Sequence, residues 1–255
     1  MSRKRDDVQG NPSPAEMRVP ILPGTADSDY ERYLRTDELL ALQKPQGQMA
    51  HKDELLFQVV HQSSELLLKG AVWELERAQQ HIADGEAAPA SRLIRRANMM
   101  IEHPTRALRL LETISPYDYH LIRAGLGHGS GLDSPGFLGL LHSGPPLGAA
   151  FTRLLGDRGL TLQEMYRKWR EHFDIHELAE ALLDFDEQVQ VFRFEHLQLA
   201  KRIIGGGVIG TSGNPVEVLH QRREHSFFKE LWNVRNDITA ECNERMRGVV
   251  ENARH

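Results

Sequence analysis

Apolar residues in this chain recur at helical spacing, and almost nowhere do they alternate with polar ones at period two. Residues 1–28 show neither pattern. They are polar and carry Pro12, Pro14, Pro20 and Pro23, which predicts a disordered tail or an extended N-terminal arm. From Asp29 onward, Tyr33, Leu34, Leu39, Leu40 and Leu42 predict a short helix that stops before Pro45. The run from about Lys52 to Ile82 is the longest periodic stretch. Leu55, Leu56, Val59, Val60, Leu66, Leu67, Val72 and Leu75 cover more than one face, the pattern of a buried helix, and Gly85 with Pro89 closes it. A second long helix is predicted from about Ser91 to Ile114, with Pro104 kinking it or lying near its start.

Ser115-Pro116 opens a short helix, Tyr117 to Ala124, which leads into GLGHGSGLDSPG, a tight loop with five glycines in twelve residues. Residues 136–160 read as mixed, with Pro145 and Pro146 at a turn. Leu162, Met165, Tyr166 and Trp169 mark another helix. A long one follows from about Ile175 to Ile204, stopped by Gly205-Gly206-Gly207. After the glycine-rich stretch GGGVIGTSGNP, a closing helix is centred on HSFFKELWNVRNDI. The expected fold is therefore all-α, one helical bundle built on long helices, with residues 1–28 as tail and 29–255 as the domain.

Composition narrows the function. With 40% hydrophobic and 26% charged residues, the chain of 255 residues reads as globular and is long enough to enclose a cofactor. Its formal charge of −5 argues against nucleic acid as a partner. No stretch approaches the ~20 apolar residues of a membrane span, and the basic N-terminus lacks the apolar run of a secretory signal. The expected location is the cytoplasm. The single cysteine, Cys242, excludes an internal disulfide, a cysteine-rich metal site and a CxxCH haem attachment.

No GxSxG, GxxxxGK[ST] or HExxH motif occurs. His172 and His176 have metal-ligand spacing, but on a charged helix that pair is expected to be solvated. Three segments hold more. In DELLFQVVHQSSELLLKGAVWEL, His61 lies one turn after Phe57 on the same side of a buried-type helix, where a satisfied core histidine is the plain alternative. Arg123 and Ser130 flank the glycine-rich loop, and an arginine there suits bidentate carboxylate capture as well as a surface ion pair. In FRFEHLQLAKRIIGGGVIGTSGNP, His196 sits within a long buried-type helix, rigidly enough to serve as a ligand of a haem iron, though taken alone it reads as an ordinary helix histidine.

Taken together, YERYLRTDELLALQKP, HKDELLFQVVHQSSELLLK, LLETISPYDYHLIRAGLGHGSG, FRFEHLQLAKRIIG and SFFKELWNVRNDI resemble the tryptophan 2,3-dioxygenase superfamily, in the family's order over most of residues 30–238. The resemblance implies an all-helical, typically tetrameric cytoplasmic enzyme of tryptophan catabolism. A non-covalent haem b would be buried between long helices, and an arm of one subunit would complete a neighbour's site. It implies His196 as the iron ligand and His61 as the distal histidine that hydrogen-bonds the indole N–H. Phe57 would be an aromatic wall and Arg123 the partner of the substrate carboxylate. Thr211 would contact the amino-acid group, Tyr30, Tyr33 and Leu34 would come from the arm and pocket, and Ser130 would lie near the haem edge. The implied substrates are L-tryptophan or a close derivative and O2, with N-formylkynurenine as the default product.

The chain also departs from the family. It is shorter than a typical dioxygenase between Phe137 and Phe173, it has GTSGNP in place of a longer GTGGSSG-like run, and it places His128 where the family has a residue that does not ionise. These changes flank the substrate and not the iron. They keep open single-oxygen insertion into a tryptophan derivative, giving a 2-oxindole, or into tyrosine. A non-catalytic haem-binding or ligand-binding protein is the alternative from another class.

Overall fold

A computed structural model of the chain describes residues 19–207 and 226–252. The chain divides into two compact units, Met1–Gln48 and Met49–His255. Among the described residues there are helices and turns but no strand, as the periodicity predicts.

The first unit is held by polar groups. Its helix α1 (Asp29–Leu34) is capped by Ser28, whose Oγ accepts the Glu31 N–H. The Asp29 carboxylate accepts the Ile21 and Leu22 N–H groups, and Arg32 donates to the Ala26 and Leu22 carbonyls. The one short helix expected here is in fact two. Arg35 takes a left-handed φ of 54°, which ends α1 before α2 (Thr36–Leu40) begins.

The second unit opens with α3 (Glu54–Ala83) and α4 (Ala87–Leu111), then a short α5 (Pro116–Ala124) and α6 (Pro135–Asp157). It continues with α7 (Leu162–Arg167), α8 (Phe173–Ile204) and α9 (Lys229–Asn252). The long helices build a bundle in which α3 packs between α4 and α6, and α4 packs between α3 and α8. Two apolar clusters result. The larger runs through Leu75, Ile94, Leu147, Leu178 and Phe185; the smaller gathers Val60, Leu108, Leu111, Ile122 and Leu199.

Pro145, Pro146 and Pro89 behave differently from expectation. Pro145 and Pro146 lie inside α6, which runs unbroken through them, so the expected turn is absent. Burial of Leu140, Leu147, Phe151 and Leu154 along one side of α6 outweighs the missing N–H groups. Pro104 sits mid-helix in α4, where Thr105 Oγ1 donates to the Ile101 carbonyl at 2.9 Å. Pro89 does not end α3, which stops at the positive φ of Gly85; it lies in the first turn of α4, where no intrahelical donor is needed.

Glycines let α6 approach its neighbours. A Cβ on Gly139 would stand 2.8 Å from Val72 Cγ2, and one on Gly144 would stand 2.4 Å from Phe227 Cδ1. At the far end, the buried Asp186 of α8 receives the start of α9. It accepts the Phe227 N–H at 3.1 Å, the Trp232 Nε1–H at 2.8 Å and the Ser226 hydroxyl.

Candidate active site

Between the two apolar clusters lies a cavity with an open mouth. Val60 and Leu68 of α3, Leu108 and Leu111 of α4, Leu138 and Leu141 of α6 and Phe192 of α8 supply its apolar walls. Its polar groups are few: His61, Ser64, Glu65, Ser134, Arg193 and His196. A mostly apolar hollow with a few convergent polar groups is the usual form of a small-molecule site.

His196 and His61 both face this cavity, from α8 and α3. Phe192, one turn before His196, lies parallel to its ring, with centroids 6.1 Å apart and planes 2° apart. Burial drives the His196 pKa down to about 4, and the field of His61 adds to the shift. The imidazole is therefore neutral at ordinary pH. Opposite its Nε2 stands Gly131; a Cβ on that residue would lie 3.1 Å from the nitrogen. Any side chain at 131 would fill the space in front of the ring.

His61 is held from below. Its Nδ1 lies 2.7 Å from the Phe57 carbonyl one turn earlier, which places the proton on Nδ1 and leaves the Nε2 lone pair free to accept. The ring is partly desolvated although the residue as a whole is exposed, and this lowers its pKa as well, opposed in part by that hydrogen bond and by the Glu65 carboxylate. The Phe57 ring packs on His61 at 4.1 Å between centroids, and Tyr119 of α5 stands 6.1 Å beyond Phe57. Burial raises the Tyr119 pKa, while the nearby Arg123 opposes the shift, so Arg123 lies on the Tyr119 side of this cluster.

Of the residues singled out in the sequence, His61 and His196 line the cavity itself. Phe57 backs His61 outside the lining. Ser130 adjoins the lining residue Gly131 and uses its Oγ to accept the Leu132 N–H at 3.2 Å, forming a capping box with Asp133. Arg123 sits on α5 and not on the cavity wall. Tyr30, Tyr33 and Leu34 belong to the first unit, where each is exposed. Thr211 lies outside the described residues. His128 is exposed on the loop ahead of Ser130.

Sequence reasoning missed Glu65, Gly131, Ser134 and Arg193. Glu65 follows His61 by one helical turn and was open to discovery by the same spacing argument that paired His61 with Phe57. Ser134 and Gly131 carry no signal beyond a glycine-rich loop. His176 is another difference. It is half-buried against Tyr166 (5.4 Å, edge-on) and Trp169 (5.6 Å), so packing and not solvent surrounds it.

Among the described residues, three side chains of metal-ligand type converge at His51, Asp53 and Asp118. There the two ring nitrogens face different carboxylates, at 3.6 and 3.7 Å, and Nδ1 also accepts the Asp53 N–H at 3.3 Å. That is a bridging histidine between the starts of α3 and α5, whose lone pair is already engaged. The cavity is the better place for a cofactor. Its donor set, a neutral imidazole nitrogen beside a mostly apolar hollow, is of the kind that would hold a haem iron.

An all-helical bundle enclosing an apolar cavity with a histidine on each of two walls defines a narrow class of protein. The family model described as tryptophan 2,3-dioxygenase matches residues 23–141. A tryptophan 2,3-dioxygenase of Shewanella woodyi is 30% identical over 83% of this chain and 91% of its own length. One of Saccharopolyspora erythraea is 31% identical over 91% of this chain and all of its own, and one of Erythrobacter litoralis is 31% identical over 83% and 99%. The chain belongs to the tryptophan 2,3-dioxygenase family. Its alignments are longer than the share of this chain that they contain, so these relatives carry residues that it lacks.

Proposed function

We propose that this chain is a haem-dependent oxygenase that inserts both atoms of O2 into the indole ring of L-tryptophan, giving N-formylkynurenine. The observation that carries this reading is the placing of His61 and His196 on walls of one apolar cavity, in a chain of this family. In this reading His196 would hold the iron of a haem b, which would be bound without covalent attachment because the chain has one cysteine and no CxxCH. When bound in the ferrous state, the haem supplies the O2 activation that no side chain can provide.

The chain's own residues bind and orient. His61 Nε2 accepts the indole N–H, because its Nδ1 proton is already committed to the Phe57 carbonyl. Phe57 packs behind His61, and Tyr30, Tyr33 and Leu34 would complete the ring pocket of a neighbouring subunit. Arg123 would pair with the substrate carboxylate in its bidentate fork, and Thr211 would meet the ammonium group. Ser130 shapes the turn at the haem edge through its capping box. The apolar walls exclude water from the reacting bond. Residues 29–255 form the oxygenase domain in this reading, with 1–28 as tail or arm, and the enzyme works as a cytoplasmic homotetramer. Among the described residues no helix is long and apolar enough to cross a membrane.

The test is optical and chemical. Purified protein given haem should show a Soret band that shifts with L-tryptophan after reduction, and His196→Ala should lose it. Turnover should consume O2 and add two oxygen atoms to the product mass. A gain of one atom would overturn dioxygenation, and a spectrum indifferent to every aromatic amino acid would overturn the oxygenase reading.

A further inference from the structure

The cavity wall contains a carboxylate with no role so far. Glu65 follows His61 by one turn of α3 and reaches across to the start of α6. Its Oε1 accepts the Ser134 hydroxyl and its Oε2 accepts the Gly136 N–H at 2.9 Å. Ser134 is the N-cap of α6 and accepts the Phe137 N–H at 3.1 Å, so Glu65 and Ser134 together satisfy the free donors of that helix start. The partial positive charge of a helix N-terminus favours a carboxylate there. Gly136 makes the approach possible, because a Cβ on it would stand 2.7 Å from both Glu65 Oε2 and Leu68 Cβ.

This contact controls more than α6. Ser134 closes the single turn Gly131–Asp133, with its N–H on the Gly131 carbonyl at 3.4 Å, and Gly131 is the residue that faces His196 Nε2. One end of the linkage therefore sits on the helix that carries His61, and the other on the turn that faces His196. We propose that Glu65 is a positioning residue, which sets the separation between the His61 wall and the Gly131 turn and so the room for substrate above His196. The proposal rests on the oxygenase reading above, and it assigns Glu65 no contact with the reacting atoms.

Haem-loaded wild type and the variants Glu65→Ala, Glu65→Gln, Ser134→Ala and Gly136→Ala are titrated with L-tryptophan. The Soret shift gives Kd, and O2 uptake gives kcat and KM. Glu65→Ala should raise Kd and KM by about ten-fold, because the Gly131 turn is no longer tied to the helix that carries His61 and the substrate is held less well in place. It should keep the resting Soret band, since His196 is untouched. Glu65→Gln should recover most of the affinity, because the amide can accept from Gly136 and donate to the Ser134 oxygen. Ser134→Ala should move Kd the same way, and its loss should not add to that of Glu65→Ala.

Gly136→Ala wedges the same contact open without removing a polar group, and should also weaken tryptophan binding. Together with Ser134→Ala it decides the matter should Glu65→Ala fail to fold. Variants that melt earlier but keep Kd and KM within two-fold of wild type would overturn the proposal. Wild type that shows no Soret band or no O2 uptake fails the oxygenase reading instead, and the two failures are distinguishable.

Discussion

At the scale of single residues, desolvation pushes the pKa of both cavity histidines below the ordinary value, far enough for His196 to stay neutral at ordinary pH. For His196 this has a consequence for stability. In the unfolded chain its imidazole takes up a proton near pH 6.5, whereas in the haem-free fold it resists protonation until about pH 4. The unfolded state binds more protons over that window, so stability is intact above about pH 6.5 and falls as the pH drops toward 4. The loss attributable to this residue is of the order of 3 kcal/mol. Denaturant titrations of haem-free wild type and His196→Ala should converge as the pH is lowered from 7 to 4.5; parallel curves would refute the assignment. His61→Ala should leave the resting Soret band in place and raise the KM for tryptophan by roughly ten-fold, through loss of one buried hydrogen bond.

At the scale of elements, the junction of α8 with α9 depends on one carboxylate. Asp186 is fully buried and gathers the Ser226 hydroxyl, the Phe227 and Phe228 N–H groups and the Trp232 indole N–H. Removing it strands several donors at once, so Asp186→Ala should destabilise the fold by about 3 kcal/mol, read as a lowered denaturant midpoint. Gly144→Ala should act on the same junction from the α6 side, because its Cβ would overlap the Phe227 ring; a cost of about 1–3 kcal/mol is expected. A neutral result for both would mean that α9 contributes little to the core. The elements were largely readable from spacing, yet proline was misleading in α6. Local rules treat Pro145-Pro146 as a turn, and they cannot see the buried row from Leu140 to Leu154 that holds the helix together through it.

At the scale of the whole molecule, α3 is less enclosed than its apolar text suggests. Leu66 is 54% exposed and Trp73 61%, and with Val59 they recur at seven-residue intervals along one face. Exposed apolar side chains recurring on one face of a long helix are candidates for cover in an oligomer. If the proposed tetramer buries it, Trp73→Glu should lower the mass measured by light scattering while leaving helical content unchanged. An unchanged mass would place the subunit contacts elsewhere.

Helical periodicity, caps and breakers are local, so the chain's text sufficed to show an all-helical protein and the span of α3, α4, α5 and α8, and its resemblance to a family singled out the two histidines that line the cavity. The family resemblance was also legible there, because it rests on ordered short blocks such as HKDELLFQVVHQSSELLLK and FRFEHLQLAKRIIG. What the text could not show depends on distances between residues remote in sequence. That His61 and His196 share a cavity, that Gly131 faces the Nε2 of one of them, and that Glu65 reaches 71 positions along the chain to Gly136 are products of helix packing. A helical repeat specifies which face of a helix is apolar, but side-chain volumes at the contacts, here the glycines of α6, set how closely the faces meet and which polar groups they bring together.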